Sequence, residues 1–155
     1  MNWQEVCGNP HLRNLPFKIE LNRWGQVVMT PTNISHSVLQ GEIILKMMES
    51  SGGQVLVECP IKTLDNVKIV DIGWVSIKRY RLIKHEQVYS VAPEICVEVV
   101  SAGQEELLTK MKLYFKAGAK EVWYCDEDGN VSFYTLQGEC TYSKLIPEFP
   151  DYIEV

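Results

Sequence analysis

Two apolar runs, "NVKIVDIGWVSI" (residues 66–77) and "PEICVEVV" (residues 93–100), each carry a carboxylate near the centre: Asp71 in the first and Glu98 in the second. Runs this apolar read as strands buried on both faces, which restricts the chain to a sheet covered by helices on either side. The carboxylates restrict it further. An ionised carboxylate taken out of water needs a charge partner, hydrogen bonds or a cation. Two of them on adjacent strands would repel, and one would take up a proton unless a positive charge intervened.

The rest of the chain supplies the covering layers. "FKIELNRWGQVVMTP" reads as two short strands about an Asn-Arg-Trp-Gly turn, with Gly25 giving the permissive backbone. A helix follows over residues 35–50, capped near Asn33 and Ser35 and stopped by Gly52-Gly53, with Leu39, Ile43 and Met47 on one side. "QVLVECPI" is a strand. After Glu98, Ser101 takes the N-cap position of a helix over residues 102–117 that ends at Gly118. Its buried stripe is Leu107, Leu108, Met111, Tyr114 and Phe115, while Lys112 and Lys116 point outward. "KEVWYCD" and "VSFYTL" form a hairpin about "EDGN", and "YSKLIPEFPDYIEV" reads as a short strand and a docked tail. The fold class expected is α/β (α+β): a mixed central sheet flanked by helices, in one domain spanning residues 1–155.

Charge is unevenly spread. The net charge is −5, yet residues 121–155 hold eight acids against Lys144 alone, which leaves a small positive excess on the rest. Within that part "KRYRLIKH" (residues 78–85) is compactly basic, and reads either as a solvated loop or as a phosphate-binding face. The five cysteines form no Cys-x-x-Cys pair and read as reduced thiols; Cys7 and His11 lack the second pair a zinc site needs. The N-terminal stretch has no basic start followed by an apolar block, and no apolar run approaches the roughly 20 residues of a membrane span. A cytoplasmic protein without membrane contact or organic cofactor is expected. Trp24, Trp74 and Trp123 read as core or interface residues.

Lys110 falls on the flank of its helix beside Tyr114, on the side of Gly103, where it can lean over the end of the Glu98 strand. Two acids and a lysine so placed suit metal-assisted phosphodiester hydrolysis, with Mg²⁺ or Mn²⁺ on the carboxylates and the ammonium beside the attacking water. They equally suit a buried Asp71–Lys110 or Glu98–Lys110 ion pair that serves structure alone.

The blocks "GQVVMTPTNISHSVLQGEI", "ECPIKT", "VKIVDIGWVS", "PEICVEVVS" and "KMKLYFKAGAKEVWYCDEDGNVSFY" resemble, in order and over roughly residues 16–136, the Uma-type (Uma-two) family of putative restriction endonucleases. The resemblance implies the PD-(D/E)XK nuclease fold, with Asp71 as the first motif acid and Glu98 as the second. The usual lysine two places after the second acid would stand at Val100. The resemblance implies that its role has moved to Lys110 on the next helix. It also matches His36 at the start of the first helix, where a helix N-terminus favours a neutral imidazole. This chain has Val70 where the family usually has Pro, and Ser101-Ala102 where it usually has Ser-Pro; neither change removes a charged group.

The function expected is therefore a Mg²⁺-dependent endonuclease acting on DNA, with an inactive nuclease-fold DNA-binding or regulatory module as the alternative. The metal ligands would be Asp71, Glu98, the Val99 carbonyl and, as an added acid, Glu20, which otherwise reads as a surface residue; Glu42 ranks with Glu20. Lys78, Arg79, Arg81 and Lys84 would contact phosphates. A homodimer is expected, since cutting a duplex calls for two sites.

Overall fold

The structure is a computed structural model and describes residues 1–50, 52–100 and 104–154, with side chains from 105 onward in the last segment. The expected N-cap at Ser101 and the flank at Gly103 lie outside the described residues. After a short helix α1 (Trp3–Gly8) and a single 3₁₀ turn come strands β1 (Phe17–Leu21) and β2 (Val27–Pro31), paired with each other as a two-stranded sheet. Helix α2 (Ile34–Ser50) leads into β3 (Gln54–Thr63) and β4 (Asn66–Val75), then α3 (Ile77–Ile83), β5 (Ile95–Val99) and α4 (Gln104–Lys116). The chain continues through β6 (Glu121–Cys125), β7 (Val131–Thr135) and β8 (Gly138–Cys140).

Six strands form the central sheet in the order β3-β4-β5-β6-β7-β8, parallel between β5 and β6 and antiparallel elsewhere. The parallel pair is joined through α4, as a crossover requires. One face is covered by α2, whose Leu39, Ile43 and Met47 pack on Ile72, Val97 and Trp123; the C-terminal tail adds Ile146, Phe149 and Ile153 to that core. The other face is covered by α4, with Tyr114 against Cys96 and Val122. This is the mixed, helix-flanked central sheet that was expected.

Three local expectations are corrected. The basic stretch is a helix, α3, capped by Ser76 rather than a loop. Leu108 is 49% exposed and leaves the buried stripe of α4. The last short strand, β8, precedes the segment assigned to it, and residues 142–154 are docked tail.

One irregularity positions the site. Pairing of β4 with β5 runs Trp74↔Ile95, Gly73↔Cys96, Ile72↔Val97 and then stops, one step before Asp71 would stand opposite Glu98. On its other side, β4 pairs with β3 at Val57↔Ile72 and Cys59↔Val70 but not at Glu58, which has φ +52°. Residues two apart on a regular strand share a face. Here Ile72 packs in the α2 core and Val70 in the α4 core, so the strand turns over at Asp71. The strands part, and the parting exposes polar backbone that side chains then satisfy.

Candidate active site

Asp71 closes the gap it creates. Its Oδ2 accepts the amide of Val99 at 2.9 Å, and its own carbonyl, out of the ladder, accepts from Gln40 Nε2 at 2.8 Å. His36 Nε2 lies 3.2 Å from the same Oδ2. His36 and Gln40 are four apart on α2, so one side of that helix grips Asp71 while its apolar side packs the core. Glu98 sits at the bottom of the gap, 2% exposed, with Oε1 accepting the phenol of buried Tyr114.

The space between the two acids holds a positive charge that sequence reasoning missed. Lys18 Nζ, on β1, stands 3.0 Å from Glu98 Oε2, 3.2 Å from Asp71 Oδ1 and 4.0 Å from Glu20 Oε2. The signal was present in "FKIEL": with a period of two, Lys18 and Glu20 share one face of a strand whose other face is Phe17, Ile19 and Leu21. Glu20 is not the surface acid that was expected. It is 3% exposed, takes the Ile69 amide at 2.8 Å on Oε2, and receives Lys110 Nζ at 3.0 Å on Oε1. Lys110 also comes within 4.0 Å of Glu98 Oε1. The structure thus brings Asp71, Glu98, Lys110 and His36 to the lining of one cleft of about 70 Å³, with Glu20 behind it and paired to Lys110. Val100, the position of the usual motif lysine, lines it too. Glu42 does not line it.

Electrostatics divide the two acids. Burial pushes Asp71 up, but the His36 bond, the Lys18 charge and the Glu98 and Val99 bonds outweigh it and hold the carboxyl well below its usual range. Burial raises Glu98 to about 7; the Lys18 and Lys110 charges oppose the rise and the Asp71 charge adds to it. Like-charged neighbours ionise in sequence, so Asp71 carries the charge and Glu98 keeps the proton until near neutrality. Burial lowers Lys18, yet the charges of Glu98, Asp71 and Glu20 win and hold it firmly cationic. His36 is raised, first by its bond to Asp71, which corrects the neutral imidazole expected from its place at the helix start.

The basic set on α3 separates. Arg79 is turned inward, with Nη1 donating to the carbonyls of Ala92 at 2.8 Å and Gly118 at 2.9 Å, so its guanidinium is committed to the fold. Lys78, Arg81 and Lys84 are exposed. Trp123 is in the core, whereas Trp24 is 74% exposed and lies outside it. The five cysteines are free thiols, and Cys7 and His11 are both exposed. Among the described residues no helix is long and apolar enough to cross a membrane.

The family model described as "Putative restriction endonuclease", Uma2, matches residues 6–155. The chain belongs to the Uma2 family. The match reaches further at both ends than the resemblance read from the motif blocks, and takes in the docked tail. Among solved structures, the chain is similar to a crystal structure of a putative nuclease belonging to DUF820 from Anabaena variabilis ATCC 29413. That similarity has a TM-score of 0.70 and 18% identity, over 90% of this chain and 82% of the other. At such identity the likeness speaks for the fold. No curated protein matches the chain.

Among the described residues, no group of three or more His, Cys, Asp and Glu side chains forms a ready cage for a metal. The chemistry of the donors nevertheless fits a hard divalent ion in this Uma2 member. Mg²⁺ is ordinarily held by one or two carboxylates, with water and substrate oxygens completing its shell. Asp71 Oδ1 and Glu98 Oε2 converge within 3.2 Å of a single point, and a cationic group already stands there.

Proposed function

We propose that this Uma2 protein is a Mg²⁺- or Mn²⁺-dependent endonuclease that hydrolyses DNA phosphodiester bonds. The observation that carries the reading is the convergence of Asp71 and Glu98 on one cation position, with Lys110 Nζ 4.0 Å from Glu98. Asp71 and Glu98 would hold the ion, with the Val99 carbonyl beside them. When bound, the ion supplies Lewis-acid polarisation of the scissile phosphate and its attacking water.

The other groups have separable tasks. Lys110, held over the cleft by Glu20, orients the attacking water and offsets charge growing on the phosphate. Glu20 acts here as an orienting partner of Lys110, and ligation by it would require release of that bond. His36 steadies Asp71. Lys78, Arg81 and Lys84 provide phosphate contacts beyond the cleft. A two-fold dimer would present one such site to each strand of a duplex.

A second reading, an inactive nuclease-fold module that binds DNA, is favoured by the same Lys18 ammonium, which already neutralises the acids. Plasmid nicking separates the two. Purified protein with Mg²⁺ or Mn²⁺ should convert supercoiled plasmid to open circle, and Lys110→Ala should reduce the rate at least about a hundredfold, in keeping with loss of a positioned charged group. Undiminished nicking by Lys110→Ala, with its fold intact by circular dichroism, rejects the assignment of Lys110. No nicking by the wild-type protein with either ion favours the module.

A further inference from the structure

We infer that Lys18 is a resident counter-cation: in the metal-free protein its ammonium fills the position between Asp71 and Glu98 that a divalent ion takes, and the ion enters by displacing it. The inference rests on the metal site proposed above and adds a residue and a rule of occupancy to it. Lys18 Nζ is 3.0 Å from Glu98 and 3.2 Å from Asp71, and its side chain is 11% exposed. Two cations cannot share a point bounded by the same two oxygens, so ligation by both acids and the Lys18 ion pairs exclude each other. Among the described residues every buried side-chain nitrogen and oxygen finds a hydrogen-bond partner. The site is thus internally satisfied without a metal, and Lys18 is the group that makes it so.

The surroundings provide somewhere for the ammonium to go. Lys18 is on the separate β1–β2 sheet rather than in the central sheet that carries the acids. It lines both the acid cleft and a neighbouring cavity of about 390 Å³, and Thr32 and Glu58 line both as well. Glu58 is exposed and borders both cavities, so a carboxylate stands on the path between them. A side-chain rotation about the Lys18 stem carries the charge from one cavity to the other without any break in β1.

Replacing the ammonium by an isosteric apolar chain tests the inference on the full-length protein with Mn²⁺ alone. In calorimetric titration, Lys18→Met should bind Mn²⁺ at least about tenfold more tightly than wild type, whereas Lys18→Arg, which keeps the charge, should not gain affinity. Equal or weaker binding by a folded Lys18→Met overturns the inference. Should Lys18→Met fail to fold, acylation of wild-type amines followed by peptide mass spectrometry decides. Lys18 should label several-fold faster when Mn²⁺ is added, against constant labelling of exposed Lys112 and Lys120. Mn²⁺ heat without any change at Lys18 overturns the inference and leaves the metal site standing. No Mn²⁺ binding by wild type together with binding by Lys18→Met supports it in its strongest form. No binding by either protein overturns the inference and the metal site together.

Discussion

Glu98→Gln should become more stable relative to wild type as pH rises, in the absence of metal. The side chain is isosteric, cannot ionise and can still accept the Tyr114 phenol, while its amide nitrogen replaces the oxygen that accepts from Lys18, a cost that does not vary with pH. Folding raises Glu98 from 4.5 to about 7, chiefly through burial. An acid with a raised folded-state value holds its proton more tightly when folded. Its contribution is therefore intact below pH 4.5, falls as pH climbs, and is fully lost above about 7. At 1.36 kcal/mol per unit, the charged carboxylate costs the wild-type fold roughly 3 kcal/mol above that range. For a chain of this size that is about 6–12 °C in Tm. Other titrating groups, His36 among them, are common to both proteins and largely cancel in the difference. Thermal and urea unfolding in EDTA at several pH values from 4.5 to 8.5 would measure it. The difference between Glu98→Gln and wild type should grow with pH and then level off. A flat difference, or one that turns against the variant as pH rises, would mean that Lys18 more than compensates the buried charge. Glu98 would then be half of a structural ion pair.

Two further expectations concern neighbouring groups. His36 should titrate above its ordinary 6.5 by NMR, because its bond to Asp71 favours the imidazolium; the stability it contributes is present below 6.5 and lost as pH rises through its folded value, and Asp71→Asn should bring the midpoint back down. On α3, Arg79→Met should cost about 2–4 kcal/mol by urea unfolding, since the carbonyls of Ala92 and Gly118 lose a charged donor. Replacing Lys78, Arg81 and Lys84 by Ala should leave stability within about 0.5 kcal/mol per site. The same changes should flatten the slope of log DNA affinity against log salt by roughly one for each phosphate interaction removed.

The parts of this fold that follow from local rules could be read directly. The α2 stripe of Leu39, Ile43 and Met47, the turn at Gly25 and the hairpin about Gly129 each answer to a period or a backbone requirement, and each stands where it was expected. The two acids could also be singled out, because a carboxylate inside an apolar run calls for an explanation wherever it occurs. What could not be read was the reversal of β4 at Asp71. A strand buried on both faces has no polar alternation, so nothing in "VKIVDIGWV" marks the residue at which inside and outside exchange. That reversal parts β4 from β5 and makes room for Lys18. Lys18 itself looked ordinary because lysines on short hairpins usually face water. Only Glu20, two residues on and buried, gives that face away. Arg79 misled for the opposite reason. In a run of basic residues, sequence shows the charge but not which guanidinium caps carbonyls from two other segments.

The most direct measurement is anomalous scattering from crystals soaked in Mn²⁺. The expected outcome is a Mn²⁺ peak within coordination distance of Asp71 and Glu98, with the Lys18 ammonium withdrawn toward Glu58 and Lys110 still paired with Glu20. An ammonium still seated between the acids, with no anomalous peak beside them at saturating Mn²⁺, would contradict the claim that these carboxylates form a metal-dependent active site.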